Sequence, residues 1–153
     1  MRLRLARVCA ALAALAALAL LAAAPASAQV PGPFARDLAQ QLARSDQFQI
    51  DAGFSRAAGP FAGGLAQNQV RRFPLMMRAG QPYRVVGVCD ARCTDLDFRL
   101  YAPDGALITQ DVRANASAAV QINPPATGNY QVEAVMAACD AAPCYFAFNV
   151  YSR

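Results

Sequence analysis

Residues 81–111 read QPYRVVGVCDARCTDLDFRLYAPDGALITQD and hold two cysteines and five of the chain's ten acidic residues. Within them, Asp95-Leu96-Asp97-Phe98-Arg99-Leu100-Tyr101 alternates polar and apolar side chains. Period-two alternation marks a strand with one wet and one dry face. Leu96, Phe98 and Leu100 are expected to face a core, and Asp95, Asp97, Arg99 and Tyr101 to face outward. Ala102-Pro103-Asp104-Gly105 follows as a turn, because proline presets φ and an Asp-Gly pair tolerates φ > 0. Residues 106–109 resume as a short strand and close a hairpin. Upstream, Tyr83-Arg84-Val85-Val86-Gly87-Val88 is β-branched and aromatic, and it runs directly into Cys89.

The same punctuation continues on both sides. Residues 69–77 read as a strand, followed by the turn Ala79-Gly80-Gln81-Pro82. Residues 118–122 form another, closed by Asn123-Pro124-Pro125, and Thr127-Gly128-Asn129 turns into the alternating run 130–136. Residues 144–151 make the last strand. About seven strands at this spacing, with no helical period between them, indicate an antiparallel sandwich.

The N-terminal part reads differently. Arg2, Arg4 and Arg7 precede an Ala/Leu run, and Ala26-Ser27-Ala28 supplies a small-residue cleavage pattern. Residues 1–28 are therefore expected to be a secretory signal peptide, with no membrane span after processing. That segment holds three of the 14 basic residues and none of the 10 acidic ones, so the formal charge of +4 falls to about +1 beyond it. The charge gives no footprint for nucleic acid. Phe34, Leu38 and Leu42 recur at helical spacing, which predicts a helix over 34–45, packed on the domain that follows. Residues 47–54 read as a strand, and the small-residue run Ala57-Ala58-Gly59-Pro60-Phe61-Ala62-Gly63-Gly64 as a connector. The division expected is a signal at 1–28, a helix and linker arm at 29–68, and a sandwich at 69–153.

The Asp95-Leu96-Asp97-Phe98-Arg99-Leu100-Tyr101 strand, the turn at Pro103-Asp104-Gly105 and the later Thr127-Gly128-Asn129-Tyr130-Gln131-Val132 together resemble the bacterial pre-peptidase C-terminal domain. The resemblance covers roughly residues 69–151. It implies a jelly-roll-like β-sandwich, here of about seven to eight strands with the N-terminal helix packed on it. Members are appended to secreted peptidases or stand alone in exported proteins, and some bind calcium. This chain departs from the pattern in carrying two cysteine pairs, and it is expected to be a stand-alone form without a peptidase beside the domain.

Cys89, Cys93, Cys139 and Cys144 are an even set in a chain expected to be exported, which favours disulfides over a four-thiolate zinc site. Each pair flanks a turn, so Cys89 is expected to bond Cys93, and Cys139 to bond Cys144. Asp90, Asp95, Asp97, Asp104 and Asp111 form the remaining constellation. Alternate strand residues point the same way, so Asp95 and Asp97 are the candidate ligands for calcium, against the plainer reading of a solvated face balanced by Arg99. The chain contains no histidine, so no Ser-His-Asp or Cys-His machinery and no imidazole metal site can be built. The function expected is an exported, periplasmic or secreted, non-catalytic binding or structural module of the bacterial cell envelope, with an envelope protein or glycan as partner. The alternatives are a calcium-binding accessory domain of a secreted peptidase system and a small hydrolase using the paired aspartates.

Overall fold

The computed structural model describes residues 29–153, and the expected signal segment lies outside them. Helix α1 (Gly32–Asp51) leads into eight strands: β1 (Ser55–Leu65), β2 (Val70–Met77), β3 (Tyr83–Cys89), β4 (Cys93–Tyr101), β5 (Leu107–Asp111), β6 (Ser117–Ile122), β7 (Gly128–Cys139) and β8 (Cys144–Ser152). They form two four-stranded antiparallel sheets, ordered β1-β8-β3-β6 and β2-β7-β4-β5. The pairs are nested, β1 with β8, β2 with β7, β3 with β6 and β4 with β5. A long hairpin wound across two layers in this way is a jelly roll. Only β4 and β5 are consecutive within one sheet, and every other strand-to-strand connection crosses to the opposite layer.

The dry face of β4 is the one expected: Leu96, Phe98 and Leu100 are 1%, 0% and 0% exposed. They meet Phe73, Leu75 and Met77 of β2, Val132 and Met136 of β7, and Phe146, Phe148 and Val150 of β8. Phe148 is the centre of this layer, edge-on to Phe73 (4.9 Å) and Phe98 (5.4 Å) and stacked on Phe61 (4.9 Å). Full burial of one such ring stabilises by about 2–3 kcal/mol. Gly87 of β3 makes room for it, since a Cβ there would lie 2.3 Å from the Phe98 ring.

Two local expectations are corrected. Residues 57–64, read as a connector, belong to β1, which pairs with β8 from Ser55–Ser152 to Leu65–Cys144. The backbone of β8 needs a partner on the side away from β3, and that tertiary demand overrides low strand propensity. Register shifts on either side of Ala58 absorb the irregular Gly59-Pro60 step. The small residues also admit close neighbours, for a Cβ on Gly64 would lie 2.8 Å from the Tyr145 ring.

Residues 47–51, read as the start of a strand, continue α1 instead. Phe48 and Ile50 are both exposed there. Polar contacts hold this half of the helix. Gln47 donates to Asp51 at 2.9 Å, and Arg84 of β3 donates to buried Gln49 at 3.1 Å. Tyr151 and Asn149 of β8 both donate to Asp46, at 2.6 and 2.9 Å. The first half packs Leu38 and Leu42 onto Val88 and Ala147. The helix thus lies on β1, β8 and β3, over the outer face of that sheet. No helix of the described residues is long and apolar enough to cross a membrane.

Candidate binding face

Among the described residues no helix packs on the outer face of the sheet β2-β7-β4-β5, and its polar side chains are organised in register. Arg72 of β2, Glu133 of β7 and Arg99 of β4 are successive cross-strand partners in one row. Arg72 Nε donates to Glu133 Oε2 at 2.7 Å, and Arg99 Nη1 donates to Oε1 at 3.2 Å. The Tyr101 hydroxyl donates to the same Oε1 at 3.1 Å, and the Arg72 guanidinium lies 5.0 Å from the Tyr101 ring centre. Glu133 is 3% exposed. Burial by itself raises its pKa, but hydrogen bonds from Arg72 and Tyr101 and the Arg72 charge outweigh burial and hold the carboxyl below its usual range.

Asp95, Asp97, Arg99 and Tyr101, expected together on one face, divide. Arg99 and Tyr101 serve Glu133. Asp97 is buried, and its Oδ1 has no hydrogen-bond partner among the described residues. Burial raises its pKa, the Asp95 carboxylate raises it further, and Arg99 offsets this only in part. Asp95 accepts the Asn115 backbone N–H at 3.3 Å. The other three aspartates serve local structure. Asp90, buried after Cys89, accepts from Arg92 and from the Tyr145 backbone at 2.8 Å each. Asp104 accepts the Ala106 N–H in its turn at 3.0 Å. Asp111 accepts from Arg113 at 2.7 Å and from the Ala119 backbone at 2.9 Å, joining β5 to β6.

Calcium takes six to eight oxygen ligands, several of them carboxylates. Among the described residues no group of three or more His, Cys, Asp or Glu is placed to hold a metal ion. Asp95 and Asp97 supply two of the oxygen-bearing side chains such an ion takes.

Glu133 and Arg72 were not singled out from the sequence. The available signal was that Glu133 is the chain's single glutamate and falls on the outward phase of an alternating strand. Nothing local shows that arginines thirty-four and sixty-one residues away flank it.

At one end of the sandwich the structure joins Cys89 to Cys93 and Cys139 to Cys144, with Cα separations of 5.8 and 5.9 Å. Arg92, between the first pair, lies 4.1 Å from the Phe34 ring centre and 5.3 Å from that of Tyr145, so the start of α1 docks on this arch.

No protein-family model matches the chain, and no curated protein sequence matches it. Among solved structures it is similar to PliG of Aeromonas hydrophila, a periplasmic lysozyme inhibitor of g-type lysozyme. The identity is 17%, over 62% of this chain and 85% of that one, with a TM-score of 0.48. A likeness at that level does not extend to function.

Proposed function

We propose that this protein is an exported, non-catalytic binding module of the bacterial cell envelope, a sandwich of the pre-peptidase C-terminal kind, and that it binds through the open face of β2-β7-β4-β5. One observation carries the reading. Among the described residues the helix packs on the outer face of one sheet, while the other outer face bears a charged row already locked around buried Glu133. Side chains held before binding lose less entropy on binding, which is the property of a preformed contact surface. The paired cysteines support an oxidising compartment. The absence of histidine from the sequence supports binding over catalysis.

The test is capture of periplasmic protein by three forms of the mature chain: wild type, Arg99→Ala/Gln110→Ala on the open face, and Arg36→Ala/Arg44→Ala on the helix. Capture lost only with the open-face variant is the expected result. Capture lost only with the helix variant, or turnover of peptide, ester or glycoside substrates by the wild type, overturns the reading.

A further inference from the structure

The open face contains a cavity of about 140 Å³ beside the β4–β5 turn, lined by Arg72, Tyr101, Ala102, Pro103, Gly105 and Gln131. Arg72 is the only charged side chain in that lining, and it is held from two sides. Its Nε is bound to Glu133 at 2.7 Å, and its guanidinium lies over the Tyr101 ring. The side chain is 58% exposed, so its outer edge is open to solvent. Around Glu133 the charge is also unbalanced, with two guanidinium groups on one carboxylate. A fixed, half-exposed guanidinium lining a cavity has the chemistry to take a planar anion by two hydrogen bonds.

We infer that this cavity receives a carboxylate side chain, glutamate or aspartate, of a partner protein, gripped by the outer edge of the Arg72 guanidinium. The inference rests on the open-face reading and names the chemistry of its partner. Two features select an acidic side chain over an acidic sugar. The volume is well below the roughly 300–1,000 Å³ of sites that enclose a whole small molecule, so it suits one inserted group. The one aromatic ring lining the cavity, Tyr101, already carries the Arg72 guanidinium over one face and is tied to Glu133 through its hydroxyl, so a stacked sugar would share it with that cation. Glu133 and Tyr101 are positioning residues here, because they orient Arg72 without facing the ligand's carboxylate.

The experiment is a ¹H–¹⁵N titration of the mature chain with N-acetylglutamate N-methylamide. The neutral glutamine analogue and galacturonate are the comparators. The glutamate probe is expected to shift Arg72 Nε–H and the amides of Tyr101, Gly105 and Gln131, and to weaken as salt is added. The glutamine analogue is expected to leave them unmoved. Arg72→Gln is expected to weaken the response at least tenfold, with the fold kept by the remaining Arg99 and Tyr101 bonds to Glu133. Arg72→Lys, which keeps the charge and loses the fork, is expected to fall between the two. Equal shifts from the glutamine analogue, shifts centred on Asp95 and Asp97, or tighter binding of galacturonate would each overturn the assignment. If the glutamate response is absent while capture still depends on Arg99 and Gln110, the pocket is refuted and the open face stands. If neither holds, the reading beneath it falls as well.

Discussion

Cys93 of β4 and Cys139 of β7 are direct register partners within the sheet β2-β7-β4-β5. Their disulfide partners, Cys89 and Cys144, lie at the facing ends of β3 and β8 in the other sheet. Each bridge is local in sequence and yet ties one layer of the sandwich to the other. The two arches lie side by side because β4 pairs with β7 and β3 with β8. The turn that each pair flanks is a crossing between the two layers.

Replacing Cys89 and Cys93 together by serine, or Cys139 and Cys144 together, is expected to cost roughly 2 kcal/mol for each pair, the loop-entropy value for so short a ring. Urea midpoints of the two double variants check the figure. Non-reducing peptide mapping checks the connectivity, and a bridge between Cys93 and Cys139 would contradict it.

The acid limb of stability should depend on Asp111. The hydrogen bond from Arg113 lowers its pKa to about 2, aided by the Ala119 and Arg113 backbone donors and opposed by burial. A lowered folded-state pKa gives stability that is present above the unfolded value of about 3.9 and is lost as pH falls toward 2. Arg113 is 73% exposed, so solvent screens part of the pair. Asp111→Asn is expected to lose roughly 1–2 kcal/mol at pH 7 and to flatten the decline between pH 4 and 2. Urea titrations at pH 7 and 2.5 measure both, and an unaltered acid limb would show that the pair contributes nothing.

Asp97 has the opposite sign. Its raised pKa means a contribution that is full below the unfolded carboxylate value and is lost as pH rises through the folded one. Asp97→Asn is therefore expected to raise the melting temperature at pH 7 and to leave it unchanged well below the unfolded pKa. Calcium and chelator are expected to leave the wild-type melting temperature where it is. A calcium-dependent rise that disappears in Asp95→Asn/Asp97→Asn would falsify the absence of an ion site at this pair.

Gly87→Ala tests the packing of the two layers. The added methyl would stand 2.3 Å from the Phe98 ring inside a filled core, and overpacking of this kind costs about 1–3 kcal/mol. Adding Phe98→Leu to the variant should recover part of the loss. Thermal unfolding of the single and double variants decides it, and strictly additive losses would mean that the two positions do not meet.

What the sequence determined by itself is the set of patterns that chemistry imposes over a few residues. Period-two alternation marked Leu96, Phe98 and Leu100 as the buried side of β4, and turn residues marked the Pro103-Asp104-Gly105 hairpin. The cysteine spacing matched bonds that close within four or five residues. Tertiary structure decided what depends on partners distant in the chain. The glycine-rich run became β1 because β8 offered it an unpaired edge, ninety-seven residues away at Ser55 and Ser152. Residues 47–51 stayed helical because Arg84 holds Gln49, and Tyr151 and Asn149 hold Asp46, from below. Five aspartates close in sequence were dispersed to separate local tasks. The site instead gathered around a lone glutamate whose arginines come from two other strands, since register between strands is set by long-range pairing that no local pattern encodes.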